Sequence, residues 1–311
     1  MILAFDIGGT SVKYGLVDDV TGEITEKSSF KTPVKSDELL SNLTEVKKNF
    51  EKRGFAMSGI GIAAPGCVSR DGVMTTFGML YEMYGLPLRE RLSNLTGLPV
   101  VVENDANAAA IAEKWLGNAR ELEDYLVVTL GTGVGGGIVS GGRIFRGAHG
   151  FAGEFGSQIT NGLTRIGELE EISQLATSSA VTGLLRSYNA AQKSVTHGQA
   201  QDLSEARDVI ARVEAGDALA ATVFDIYLEN VSVGLMNLFA LFDPEAILIG
   251  GGISASSTFM DSLSVKFDSL ITRHFGLNAA RERGILGHLT TCALKNDAGL
   301  IGAAYGVKLA G

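Results

Sequence analysis

Leu3–Asp18 reads LAFDIGGTSVKYGLVD, and Leu126–Gly142 reads LVVTLGTGVGGGIVSGG. Each is an apolar run that stops at a glycine–threonine cluster and resumes as a second apolar run. In the first the bend is Gly8-Gly9-Thr10, and in the second it is Gly131-Thr132-Gly133. Apolar runs bounded by glycine read as strands, and a short glycine connection between two of them reads as a β-hairpin. Such a turn presents backbone N–H groups and a threonine hydroxyl together. A pattern used twice in one chain is a fold-level signal. It predicts two similar α/β lobes, one beginning near residue 1 and one near residue 124.

Working outward, Ser36–Arg53 carries Leu39, Leu40, Leu43, Val46 and Phe50 at helical spacing and stops at Gly54. Ser58–Ala64 is a short apolar strand closed by Pro65-Gly66, Leu98–Val102 is another, and Asp105–Leu116 is a helix stopped by Gly117-Asn118. Beyond the second hairpin, Glu168–Tyr188, Ala218–Leu241 and Phe259–Phe275 read as helices, and Asn189–Gln201 as a polar surface loop. Glu245–Ile249 is a strand followed by Gly250-Gly251-Gly252, and Ala298–Leu309 is the last helix. Strands alternating with helices, with hairpins at two points, predict an α/β fold with mixed sheets. The expected lobes are a small one over 1–120, with helix 297–311 packing back on it, and a larger one over 121–296.

Composition excludes several classes. A net charge of −9 opposes a nucleic-acid surface, which needs a basic face to displace counterions. The two cysteines, Cys67 and Cys292, form no CxxC spacing, which rules out a disulfide framework and points to a reducing, cytoplasmic compartment. MILAFDIGGT has neither a basic leader nor a cleavage site, so a signal peptide is not expected. The most apolar stretch, Asn230–Phe242, is shorter than the roughly 18 residues a membrane helix needs and is expected to be a buried helix.

Gly131–Gly136 formally satisfies GxGxxG, but a dinucleotide fingerprint must open a helix, and here the chain continues as strand. No Gly-Lys pair exists for a Walker loop, and there is no HRD or GxSxG motif. Two glycine–threonine turns and a triple glycine are three places where backbone N–H groups can approach an anion. Together they suit a nucleoside triphosphate. A further stretch, VENDANAAA from Val102, puts Asn104 and Asp105 where an apolar strand meets an alanine-rich helix. Either side chain could cap the helix. A carboxylate held at a strand end could equally be a catalytic base.

These motifs carry a resemblance. DIGGT (Asp6–Thr10), APG (Ala64–Gly66), ENDANAAA (Glu103–Ala110), GTGVGGG (Gly131–Gly137), GAHGFAGEFG (Gly147–Gly156) and IGGG (Ile249–Gly252) run in the order seen in ROK proteins. That family comprises sugar kinases and related repressors on an actin-like, ribonuclease-H-like fold of two lobes with a nucleotide cleft between them. Its repressors carry a helix-turn-helix before the first phosphate motif. This chain reaches Asp6 at once, so the kinase branch is expected.

The resemblance implies ATP-dependent phosphorylation of the 6-hydroxyl of a hexose or hexose derivative. Asp6 would hold the magnesium of Mg–ATP through water, with Gly8, Gly9, Thr10 and Lys13 along the phosphates. Thr132 and Gly133 would form a second phosphate clamp, and Gly251 and Gly252 would lie against the adenosine. Asp105 would be the general base, while Asn104, Glu154, Glu170 and Gly66 would contact the sugar. The implied partners are a sugar and ATP, with no nucleic acid and no membrane, and a homodimer is compatible with the family. The competing readings are a sugar-binding regulator without turnover and, on the GxGxxG alone, a dehydrogenase.

The chain departs from the family in one loop. Most ROK proteins follow GEFG with a histidine and a CxCGxxGCxE stretch that bind a structural zinc. Here Ser157 replaces the histidine, Glu168 falls where the last cysteine would be, and the other cysteines are gone, so no zinc is expected. Glu168 and Glu171 read as the charged first turn of a helix. Met74–Leu88, MTTFGMLYEMYGLPL, offers Tyr81 and Tyr84. Tyrosines there and a small serine at 157 suggest a substrate substituted at C1, as in a β-glucoside, or at C2, as in N-acetylmannosamine.

Overall fold

A computed structural model describes residues 1–160, 162–163 and 166–310. In chain order the strands are β1 Ile2–Ile7, β2 Ser11–Val17, β3 Ile24–Lys31, β4 Gly59–Ala64, β5 Val100–Asn104, β6 Tyr125–Leu130, β7 Val134–Ser140, β8 Arg143–Ile144, β9 Ala246–Gly250 and β10 His288–Thr291. The α-helices are α1 Ser36–Lys52, α2 Leu88–Thr96, α3 Asp105–Leu116, α4 Gln174–Ser178, α5 Ser187–Val195, α6 Ala206–Glu214, α7 Ala218–Phe242, α8 Ser257–Arg273, α9 Phe275–Glu282 and α10 Ala298–Ala310.

Two five-stranded sheets result, ordered β3-β2-β1-β4-β5 and β8-β7-β6-β9-β10. In the first, β1 pairs antiparallel with β2 and parallel with β4, which pairs parallel with β5. In the second, β6 and β10 both run parallel to β9, and β7 and β8 are antiparallel. Only Gly131-Thr132-Gly133 joins the neighbouring strands β6 and β7, and a connection that short can join only antiparallel strands. The two sheets therefore share one topology, as the repeated hairpin pattern predicts.

The chain forms two compact units. The first comprises Met1–Glu121, with Gly137–Ala152 and the chain from Asn296 onward; the second comprises Leu122–Gly136 and Gly153–Lys295. In the first unit the alternation along β1 sends Leu3, Phe5 and Ile7 into a core with Leu39, Leu40, Leu43 and Phe50 of α1. Ile2 and Ala4 face the other way, into a cluster with Leu300, Ala304 and Val307 of α10. The strand is thus buried on both faces, which is why it reads as continuously apolar. Backbone contact brings α10 close: a Cβ at Gly61 would lie 2.1 Å from Ala303 O, and one at Gly302 would lie 1.8 Å from Ala108 O.

In the second unit α7 is central. It is long and apolar enough to cross a bilayer by length and composition. Instead it packs against α4, α6 and α8, burying Phe224, Tyr227, Leu228, Val231, Leu235 and Leu238. The rings of Tyr227 and Phe239 lie against Phe259 and Phe267 of α8.

Two expected elements differ. Glu168–Tyr188 is not one helix: a 3-10 turn at Leu169–Ile172, α4 and a π-helical stretch at Ala180–Arg186 follow one another. Serines make the breaks. Ser173 and Ser179 are both extended, and Ser179 Oγ accepts from Thr182 N–H and Gly183 N–H, capping a new start. Asn189–Gln201 is not all loop, because α5 runs to Val195. The Asn189 carboxamide exchanges two hydrogen bonds with the backbone of Leu203, so its polarity serves a tertiary contact.

Replacing Gly302 by alanine is expected to lower unfolding stability by at least about 2 kcal/mol, because the new methyl meets a fixed carbonyl rather than a movable side chain. Urea unfolding midpoints of Gly302→Ala and Gly306→Ala, whose Cβ would meet only Val101 Cγ1 at 3.4 Å, check this. Equal midpoints would contradict it.

Candidate active site

Several of the expected site residues lie at the carboxyl ends of parallel strands, where α/β sheets collect ligands. Gly8–Thr10 follow β1, Gly66 follows β4, and Asn104 ends β5. Thr132 and Gly133 follow β6, and Gly251 and Gly252 follow β9. The first group lies in the first unit and the second group in the second.

The seam between β5 and α3 is resolved by its hydrogen bonds. Asn104 is the cap: its Oδ1 accepts from Ala106 N–H (2.9 Å) and Asn107 N–H (3.0 Å). Its Nδ2 donates to Gly66 O (3.0 Å) and to Asp105 Oδ1 (3.1 Å). Asp105 Oδ1 also accepts from Ala106 N–H at 2.8 Å. Capping therefore falls to Asn104, and Asp105 stands as an exposed, oriented carboxylate on the first residue of the helix. The positive end of the helix dipole favours a carboxylate there. In this arrangement the whole Asn104 carboxamide is engaged with protein.

Glu103, which carried no role on sequence grounds, underpins that seam. It is buried, and its Oε1 accepts from Asn104 N–H (3.1 Å) and Asn107 Nδ2 (3.0 Å). Its Oε2 accepts from Arg146 Nε at 2.9 Å and from Arg146 Nη2. A charge pinned by four donors holds the strand end against the segment after β8. The signal in the sequence was a glutamate closing an otherwise apolar strand, although nothing there identified its partner. A cavity of about 670 Å3 lies beside the pair, lined also by Arg70, Arg89, Val68 and Phe145. Its lining includes neither Asp105 nor Gly66.

At the first glycine turn, Gly8 N–H donates to Ser11 O (3.0 Å), while Thr32 Oγ1 donates to Gly8 O (2.6 Å). Asp6 and Lys13 face each other across β1 and β2 at 3.3 Å. The start of α10 closes over Asp6, where a Cβ at Gly299 would lie 2.7 Å from its carboxyl carbon. Burial pushes the Asp6 carboxyl above the usual carboxylate range, and Lys13 pulls it partly back.

In the second unit Gly131 N–H donates to Gly133 O (3.0 Å), leaving Thr132 exposed at the tip. Gly251 has φ +89° and packs on the same strand end; a Cβ there would lie 2.2 Å from Leu130 O. Only glycine fits at 251, and Thr132-Gly133 and Gly251-Gly252 follow the neighbouring parallel strands β6 and β9. Glu154 is half-buried before the turn Phe155–Ser157, and Glu170 is exposed in Leu169–Ile172. The two stretches are tied by Gln174 N–H donating to Gln158 O (2.9 Å) and by a bridge between Ile159 and Ser173. Glu168 and Glu171 are exposed around that same turn rather than in an α-helix.

The family model of ROK proteins matches residues 2–309. The chain belongs to the ROK family. Among ROK relatives, it is 36% identical over 307 residues to a β-glucoside kinase of Listeria monocytogenes, covering 98% of this chain and 96% of that one. A ROK family protein from Streptococcus pneumoniae solved in complex with sucrose is 29% identical, with a TM-score of 0.82 and coverage of 99% and 98%. A ROK glucokinase from Streptomyces griseus, solved with glucose and AMPPNP, is 26% identical, with a TM-score of 0.73 over 98% of each chain.

Two substitutions test this ROK site. Arg146→Ala strands a buried carboxylate and is expected to cost about 3 kcal/mol, read as a lowered urea midpoint that Arg146→Lys restores only in part. Asp6→Asn is expected to raise the melting temperature at neutral pH while abolishing ATP turnover. The sign follows from the raised carboxyl: the stability it contributes when protonated is lost as pH rises through its folded-state value, a loss that the uncharged amide of Asp6→Asn does not share. A melting temperature that falls in Asp6→Asn would reverse that sign.

Proposed function

We propose that this ROK protein is a sugar kinase that transfers the γ-phosphoryl group of Mg–ATP to the 6-hydroxyl of a hexose or hexose derivative. The observation that carries the reading is the division of labour at the β5–α3 seam. Asn104 caps the helix, and Asp105 is exposed with one oxygen oriented by two donors. A base within hydrogen-bond reach of a hydroxyl needs such fixed geometry.

In this reading Asp105 takes the proton from the 6-hydroxyl as its oxygen attacks the γ-phosphorus and ADP leaves. The transition state is loose, so the protein's work is positioning and charge neutralisation. Asp6 would hold the magnesium of the nucleotide through water, and Lys13 would neutralise phosphate charge beside the N–H groups of Gly8–Thr10. Thr132 and Gly133 would clamp the phosphates from the second glycine turn, with Gly251 and Gly252 against the nucleoside. Gly66, Asn104, Glu154 and Glu170 would contact sugar hydroxyls; Asn104 would exchange one of its present bonds to do so. No zinc enters the proposal, because Ser157 and Glu168 stand where zinc-binding members have a histidine and a cysteine. A cytoplasmic location accords with ATP as donor.

A glucose ring substituted at C1 is the favoured acceptor. The β-glucoside kinase relative acts on such a ring, and sucrose in the Streptococcus pneumoniae protein is a glucose substituted at C1. The test is ADP release with Mg–ATP over glucose, mannose, fructose, N-acetylmannosamine, N-acetylglucosamine and cellobiose. Asp105→Asn is expected to reduce kcat about a thousandfold on the preferred sugar while sugar binding persists. Sugar binding with no turnover on any acceptor by the unaltered protein would instead favour a regulator.

A further inference from the structure

The loop between β4 and α2 keeps three large apolar side chains out of the core: Met79 is 77% exposed, Tyr81 63% and Tyr84 43%. Their neighbours show that the loop is not loosely attached. Met74, Phe77 and Met83 are fully buried in the first unit's core. Tyr84 Oη donates to Gly78 O (2.8 Å), Tyr81 Oη lies 3.5 Å from Met79 Sδ, and the two tyrosine rings are 5.5 Å apart. An anchored loop thus displays two rings and a thioether side by side. Single exposed apolar residues are ordinary, but an ordered cluster of them on a rigid base is a contact surface.

Its position relates it to the acceptor site. Gly78, φ +54°, sits against Pro65, and a Cβ at Gly66 would lie 2.8 Å from Gly78 N and Thr76 O. Cys67 N–H donates to Thr76 Oγ1 (2.9 Å). Gly66 O in turn accepts from Asn104 Nδ2, which also donates to Asp105. A continuous run of contacts thus leads from Asp105 through Asn104, Gly66 and Gly78 to Tyr84 and Met79. In a hexopyranose only C5 and the ring oxygen separate C6 from C1. A sugar presenting its 6-hydroxyl to Asp105 therefore emits any C1 substituent close to the phosphoryl-accepting end.

We propose that Tyr81, Tyr84 and Met79 form an aglycone subsite that takes the aromatic group of an aryl β-glucoside. The assignment rests on the sugar-kinase reading. Tilted tyrosine faces suit a planar aromatic group, and a thioether makes favourable contacts with ring edges. Free glucose has nothing to reach the platform and gains nothing from it.

The experiment compares kcat/KM for p-nitrophenyl β-glucoside and for glucose in the unaltered protein, Tyr81→Ala, Met79→Ala and Tyr81→Phe. Tyr81→Ala is expected to lower kcat/KM for the aryl glucoside about tenfold, mainly through KM, and to leave glucose within about twofold. Met79→Ala moves the same way by less, and Tyr81→Phe, which keeps the ring, retains the preference. Unchanged melting temperatures show that the loop still folds. Equal losses on both sugars, or no loss on either, overturn the subsite while leaving the kinase intact. Absence of phosphorylation of either sugar by the unaltered protein overturns the kinase reading and the subsite with it.

Discussion

Asn104 accepts two helix N–H groups with its Oδ1 and donates from its Nδ2 to Gly66 and Asp105, so that one carboxamide joins a strand end, a neighbouring loop and a carboxylate. With the cap at the residue before it, Asp105 keeps one oxygen oriented by two donors at the exposed start of the helix. Glu103 secures this arrangement from below by fixing the backbone of Asn104 and the side chain of Asn107, with Arg146 balancing its charge. Three consecutive polar residues thus act in sequence as anchor, cap and presented carboxylate.

The same economy governs the glycines. Gly61 and Gly302 let α10 reach β4 and α3 backbone to backbone, while Gly299 lets the start of α10 close over Asp6. That closure is what desolvates Asp6 and raises its carboxyl. A buried acidic group is unfavourable for the empty protein and is the sort of group a divalent cation would relieve. A carboxyl whose charged form is disfavoured by burial thus stands at the strand end where phosphates are proposed to bind.

Much of the fold was legible because strand and helix periodicities are local. β1, α1, β4, α3 and α10 emerge within a residue or two of their expected bounds, since each buries a face whose pattern lies in adjacent residues. β3 was not anticipated, for ITEKSSFK is a mostly exposed edge strand held by pairing with β2 rather than by an apolar face. The break at Ser173 and Ser179 was hidden for a related reason: a serine caps or continues a helix according to what its hydroxyl finds nearby.

The duplicated hairpins, the glycine clusters that end them and the carboxylates at the strand ends can be read from the linear chain, because they depend on residue type and short spacing. That Asn104 caps α3, that Arg146 answers Glu103 forty-three residues away, and that Gly78 packs on Pro65 beside Gly66 became visible only in the folded chain. Each of these is a choice among several chemically acceptable partners. Distance in the folded chain settles such choices, and a linear pattern carries no record of it.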